Sequence, residues 1–281
     1  MNLRNTFDRA MARVSLRRAL APRMPLFHPD FPAIVMWSEK SACTVAVRWF
    51  LHHIGKLEEA VALHPWVHVY ENDVFKAAPG YVEACVAAIR SGRPVIKFVR
   101  NPYARAYSGF LETCHPRVLE EDEHWATRTR AAVVAHVHGA DAGIATPYSF
   151  NQFAGWMDAQ DARGLDPHLS PQFMAVEKRI NAEPVRLEDH DNAFLHVEER
   201  FGLPSTCGEA RLYTSGHHHP KTGISDAKAA AALDKAVPVE RPEGFAFSDP
   251  SPLAIAESPA GEAIRRVCQS SFSVYGYDQL A

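Results

Sequence analysis

Apolar residues in this chain fall into short runs separated by polar turns, and the runs alternate between two periods. Ala33-Ile34-Val35-Met36-Trp37 is unbroken and apolar. Pro22, Pro25, Pro29 and Pro32 exclude a helix before it, so the run predicts a buried strand. Ser38 to Thr44 reads as a turn, and Val45 to Ile54 has helical spacing with Gly55 as a stop signal. Val67-His68-Val69-Tyr70 predicts a second strand and the β-branched run Val95 to Val99 a third. Helical spacing recurs over Gly80–Arg90, over Tyr103–Cys114 behind Pro102, over Glu120–His138 and over Phe150–Met157. The Gly-, Pro- and Ala-rich stretch from Gly208 to Pro252 reads as loops around one helix, Asp226 to Ala236, and a last helix runs from Pro259 to Ser271. Strands alternating with helices predict a single α/β domain. Its central, mainly parallel sheet would have about four or five strands, flanked by helices.

Composition narrows the class. With 47% hydrophobic and 22% charged residues, the 281-residue chain can bury a full-sized core. A formal charge of −3 gives no global case for nucleic acid or an anionic membrane as partner. No apolar run approaches the roughly 20 residues of a spanning helix. Five cysteines, an odd number without CxxC spacing, suit reduced thiols and a cytoplasmic location. The first 30 residues form a basic helical extension carrying Arg4, Arg9, Arg13, Arg17 and Arg18. That extension fits a solvated helix face, or alternatively a transit or surface-binding segment.

Two constellations carry chemistry. Lys40-Ser41-Ala42-Cys43-Thr44 lies between the first strand and the first helix. Small residues there let the backbone approach an anion, Lys40 supplies a cation, and Ser41 and Thr44 supply hydroxyls. The Walker pattern GxxxxGK[ST] is absent. Taken alone, this turn also fits a capped helix with a surface lysine. The second constellation is Phe98-Val99-Arg100-Asn101-Pro102-Tyr103-Ala104-Arg105-Ala106-Tyr107-Ser108. Arg100 ends a strand and Ser108 lies two turns into the next helix, so a guanidinium fork and a hydroxyl suit a terminal phosphate. A salt-bridged Arg and a packing Ser are the plainer alternative.

Together the two motifs resemble the signature of sulfotransferases that use 3′-phosphoadenosine 5′-phosphosulfate (PAPS), in particular the carbohydrate sulfotransferase branch. The resemblance implies a P-loop-like fold over residues 31–281. It also implies that Lys40, Ser41, Ala42, Cys43 and Thr44 hold the 5′-phosphosulfate, and that Arg100 and Ser108 hold the 3′-phosphate. Three further stretches are similar to the family in the same order. They are Asp166-Pro167-His168-Leu169-Ser170-Pro171-Gln172, with Leu169 in place of an aromatic; Val185-Arg186-Leu187-Glu188; and the tail from Ile264 to Tyr277. In the tail, Cys268 and Ser271 replace the family's Tyr and Asp. The implied acceptor is a hydroxylated molecule, a carbohydrate.

Sulfuryl transfer, like phosphoryl transfer, needs in-line positioning and stabilisation of the leaving oxygen, and Lys40 is placed for the latter. No metal is required and no ligand cluster is visible. The resemblance draws the general base from the segment between the phosphate motifs. His68, in the predicted strand, is the first choice and Glu71 the second, with His168 in its Pro-flanked loop as the other candidate. His217-His218-His219 cannot all face one ion without a distorted backbone. The resemblance makes that stretch a lid, with Lys221 toward the phosphates. A kinase with a degenerate phosphate loop, or a non-catalytic nucleotide- or carbohydrate-binding module, is the alternative reading.

Overall fold

The computed structural model describes residues 15–190, 192–213, 221–240 and 245–280. Along the chain the principal elements begin with β1 (Ile34–Trp37), α1 (Cys43–His53), α2 (Leu57–Leu63), α3 (Val67–Tyr70) and α4 (Tyr81–Arg90). Then come β2 (Val95–Val99), α5 (Pro102–Thr113), α6 (Trp125–His138), α7 (Phe150–Asp158), β3 (Glu183–Arg186) and α8 (Ala193–Phe201). The chain closes with β4 (Lys221–Gly223), α9 (Asp226–Asp234), β5 (Phe247–Asp249), α10 (Pro259–Val267) and α11 (Gln269–Tyr275). The protein is mixed α/β, with a small parallel sheet flanked by helices.

The described residues gather into two compact units. One comprises residues 15–99 and 173–213, the other 100–172 and 221–280. In the first, β1, β2 and β3 form a parallel sheet in the order β1-β2-β3, with Trp37 opposite Phe98 and Val99 opposite Arg186. All of β2 is buried, as expected of a central parallel strand covered on both faces. The two-residue alternation of a strand sorts its side chains. Val35, Ile96, Phe98 and Val185 pack with Trp49 and Phe50 of α1, whereas Ile34, Met36 and Val95 pack with Tyr81 and Cys85 of α4. Lys97 shares the Val95 face, and its ammonium pairs with Glu177 at 2.5 Å. The buried carboxylate of Glu198 on α8 accepts from Trp49 Nε1 at 2.7 Å and from the Thr206 backbone at 2.9 Å, which ties α8 to α1.

Among the described residues the sheet has three strands, fewer than the four or five expected. The shortfall begins at residues 67–70, which form the helical turn α3, followed by a π-type turn over Glu71–Phe75. Val67 and Tyr70, three apart, both face the apolar cluster around Phe50, and helical geometry alone lets them do so.

The second unit is built on helices. Tyr103, Phe110, Phe150, Phe153, Ile264 and Phe272 from α5, α7, α10 and α11 lie in one core, and β4 pairs with β5 in a short parallel ladder. Among the described residues no helix is long and apolar enough to cross a membrane.

Candidate functional site

In the first unit the turn after β1 carries Lys40 and leads into α1. Two residues in it, Lys40 (φ 61°) and Ala42 (φ 55°), take the left-handed backbone conformation although neither is glycine. Each such position costs roughly 1–2 kcal/mol. Ala42 is the N-cap of α1, and no side chain caps that end. Ser41 is buried, whereas Lys40, Ala42, Cys43 and Thr44 are partly exposed. The first backbone N–H groups of α1 therefore start beside accessible small residues, an arrangement that favours an anion.

His68, on α3, stands against this turn. Its ring lies between those of Trp37 and Trp66, at centroid distances of 5.2 and 5.5 Å. Nε2 faces Thr44 Oγ1 at 3.5 Å, and the Cys43 thiol is near enough to influence the charge of the ring. Nδ1 meets Glu71 Oε2 at 2.5 Å, and Glu71 Oε1 accepts from Lys76 Nζ at 2.6 Å. Burial alone would discharge this histidine. Cys43 and Glu71 overcome it and push His68 up to about 10. Burial would likewise neutralise Glu71, yet Lys76 and His68 hold it below the usual carboxylate range. His68 thus stands beside the turn, on a helical turn where a strand was expected. Glu71 is fully enclosed and doubly paired.

In the second unit, α5 opens with Asn101 as N-cap, its side chain accepting from the Tyr103 N–H, and with Pro102 at the first helical position. Every residue of α5 is buried except Ala104 and Ser108. Arg100, which precedes the N-cap and is not helical, is partly exposed too. Gln172 clamps the backbone of Arg100: its Oε1 accepts from the Arg100 N–H at 3.0 Å, and its Nε2 donates to the Arg100 carbonyl at 2.6 Å. The N–H of Gln172 in turn donates to Ser271 Oγ at 2.9 Å. Arg105 points the other way. It is 2% exposed and donates to the carbonyls of Ser170 and Pro167, both at 2.7 Å.

The segment held by Arg105 bears His168, whose Nδ1 meets Asp166 Oδ1 at 2.6 Å and whose ring stacks on Trp125 at 4.1 Å. Burial would raise Asp166, but its hydrogen bonds with His168 keep it below the usual range. With Nδ1 on a carboxylate, Nε2 is the ring nitrogen left to act. Leu169 packs against the backbone of Gly109, where an added Cβ would lie 2.6 Å from its Cδ2.

The first unit thus brings together Lys40, Ser41, Ala42, Cys43, Thr44, His68 and Glu71, and the second brings together Arg100, Ser108 and the loop of His168. β1 and β2, the strands that precede Ser38 and Arg100, are adjacent and parallel. His217, His218 and His219 and the side chain of Lys221 lie outside the described residues. Among the described residues no cluster of three or more His, Cys, Asp or Glu is arranged to hold a metal. Gln172, Ser271, Asp166 and Lys76 carry roles the sequence reading did not assign. The Pro-Gln pair was visible as part of a motif, but a contact spanning 99 residues, as between Gln172 and Ser271, leaves no local signal. No family model, curated protein or solved structure was found to match the chain.

Proposed function

We propose that this protein transfers the sulfuryl group of PAPS to a hydroxyl of an acceptor, with a carbohydrate as the acceptor class. The observation that carries the reading is the partial exposure of Arg100, just ahead of α5, together with that of Ala104 and Ser108, the two accessible residues of an otherwise buried helix. The turn at Lys40 supports the same reading. It combines a cation, a helix N-terminus without a side-chain cap, and two left-handed non-glycine residues.

In this reading Lys40 and the first N–H groups of α1 bind the 5′-phosphosulfate and stabilise charge on the leaving oxygen. Arg100, its backbone held by Gln172, and Ser108 bind the 3′-phosphate. His168, oriented by Asp166 and Trp125, accepts the acceptor proton, and His68 serves to fix the turn. Calorimetry with adenosine 3′,5′-bisphosphate in the presence of a chelator is the first test, followed by transfer of labelled sulfuryl from PAPS to a panel of sugars. The 3′,5′-bisphosphate should bind at least tenfold more tightly than adenosine 5′-phosphate. Equal affinities would remove the role of Arg100 and, with it, the proposal.

A further inference from the structure

Residues 23–26 run back along β1. Leu26 and Val35 exchange backbone hydrogen bonds at 2.8 and 2.9 Å in an antiparallel bridge. Continuing that register by three residues in each direction sets Arg23, the last residue of a 3-10 turn over Ala21–Arg23, opposite Ser38. The side chain agrees with that placement: Arg23 Nη1 donates to Ser38 Oγ at 3.3 Å, and Nη2 pairs with the Glu39 carboxylate. Ser38 is fully buried, and its carbonyl accepts from the Ser41 N–H at 3.1 Å, which closes the turn that carries Lys40. One guanidinium thus grips the two residues that lead from β1 into that turn. We propose that Arg23 is a positioning residue of the Lys40 turn: it fixes Ser38 and cancels the charge of Glu39, so that the turn accepts the anionic 5′-phosphosulfate. The identity of that ligand rests on the sulfuryl-transfer reading.

An anion site needs a cation at this place. Glu39 immediately precedes Lys40, and a carboxylate there opposes any anion at the start of α1. The Cys43 thiol shows the sense of the field: burial and the charge of Glu39 oppose its ionisation, and the charges of His68 and Lys40 favour it. Lys40 and Glu39 by themselves sum to no net charge, whereas with Arg23 the three carry one positive charge. The side chains of Arg23 and Glu39 are only 11% and 16% exposed, so solvent screens the pair little. Arg23 Nε is buried without a hydrogen-bond partner, which costs stability. A part-buried ion pair is a poor source of stability in any case, and an apolar couple of similar volume serves as well. Fixing the turn and neutralising Glu39 account for Arg23 where stability does not.

This role differs from that of Lys40, which touches the ligand itself. Arg23 acts through Ser38 and Glu39, so most of what its loss does is repaired by removing the charge it cancels. Truncating Arg23 alone leaves the Glu39 carboxylate unmatched beside the anion. Neutralising Glu39 as well leaves the turn with the charge of Lys40 and no opposing carboxylate.

The test is calorimetry of adenosine 3′,5′-bisphosphate and adenosine 3′-phosphate on the full chain, with urea unfolding as the check on folding. Only the bisphosphate places a phosphate at the Lys40 turn, so the ratio of the two affinities isolates that turn. Arg23→Ala should lower the bisphosphate affinity roughly tenfold and leave that for adenosine 3′-phosphate unchanged. Adding Glu39→Gln to Arg23→Ala should recover most of the loss, which a merely structural role would not allow. Glu39→Gln alone keeps Arg23 and should bind the bisphosphate at least as tightly as the wild type. A Glu39→Gln protein that binds it roughly tenfold more weakly overturns the charge cancellation even if no Arg23 variant folds. A folded Arg23→Ala variant with wild-type bisphosphate affinity overturns the role of Arg23 and leaves the sulfuryl-transfer reading standing. A wild-type protein that binds the two nucleotides equally, or neither, overturns that reading's use of the Lys40 turn and the role of Arg23 with it.

Discussion

Replacing Arg105 by alanine should unfold the loop that carries His168 before it weakens any anion contact. The guanidinium is buried and donates charge-assisted hydrogen bonds to Ser170 O and Pro167 O. Each is worth about 1.5–3 kcal/mol, and truncation also leaves two carbonyls to find other partners. A loss of roughly 3–5 kcal/mol follows, or about 2–4 °C in Tm for each kcal/mol in a chain of this size. Arg105→Lys keeps the charge but cannot span both carbonyls, so it should recover about half. Urea unfolding with a fixed m-value measures both variants. A ligand control separates this role from anion binding. Adenosine 3′,5′-bisphosphate should raise the stability of Arg105→Ala by nearly the increment it gives the wild type, while Arg100→Ala should lose most of that increment. An Arg105→Ala variant within 1 kcal/mol of wild-type stability would refute the structural assignment. Loss of the ligand increment in a folded variant would move Arg105 into the binding site.

Arg100→Ala should lose roughly tenfold to a hundredfold in bisphosphate affinity by calorimetry, the worth of one charge-assisted phosphate contact. His168→Ala should lower turnover by about 10²–10⁴-fold with bisphosphate affinity nearly intact, whereas His68→Ala should lower thermal stability instead. An unchanged rate in the His168 variant returns the search for the base to other residues. The Cys43–His68 pair predicts a shape for stability against pH. His68, raised from 6.5 to about 10, gives stability that is complete below 6.5 and lost as pH rises through 10. Cys43, lowered from 9.0, gives stability that is complete above 9.0 and lost as pH falls through its folded value. Below pH 9 the two slopes oppose one another. Relative to His68→Gln, the wild type should therefore lose stability most steeply between pH 9 and 10, by up to about 1.4 kcal/mol per unit. A wild-type advantage that grows above pH 9 in urea titrations would contradict the ion pair.

The sequence made the framework of the site legible wherever pattern length was sufficient. Runs 33–37 and 95–99 are continuous, apolar and bounded by turn residues, and they are β1 and β2. Residues 67–70 failed for a physical reason. Four residues of Val-His-Val-Tyr satisfy a strand alternation and a single helical turn equally well, and only the cluster around Phe50 decides between them. The identity of the chemically interesting residues was legible too, since Lys40, Cys43, His68, Glu71, Arg100 and His168 all stood out by type and spacing. Their ionisation was not. Whether His68 accepts or holds a proton depends on Glu71 three residues on and on Cys43 twenty-five residues back, and that proximity exists only once α3 is wound as a helix.

The turns at Lys40 and Arg100, to which the proposal gives the two phosphates, also differ in how their backbones are prepared. At α5 the N-terminus is closed: Asn101 caps it and Pro102 removes a donor, so recognition there falls to side chains, Arg100 and Ser108. At α1 the chain had a conventional cap within reach, with Ser41 and Thr44 flanking the helix start, yet no side chain caps it and the turn accepts two left-handed residues instead. A helix that merely needed a stable start would use the serine as N-cap and gain about 1 kcal/mol, not spend a similar amount twice on backbone strain. The geometry is reasonable if the turn must present consecutive N–H groups and Lys40 to one anion, because a side-chain cap would occupy the donors. It follows that the α1 turn should tolerate exchange of its side chains for small residues better than loss of its backbone shape. Ala42→Gly, which relaxes the left-handed position, should stabilise the protein and leave anion affinity intact, whereas Ala42→Val should cost both. Unfolding and calorimetry on the same two variants decide it, and an Ala42→Val protein with wild-type affinity would show that the turn's backbone is not what holds the anion.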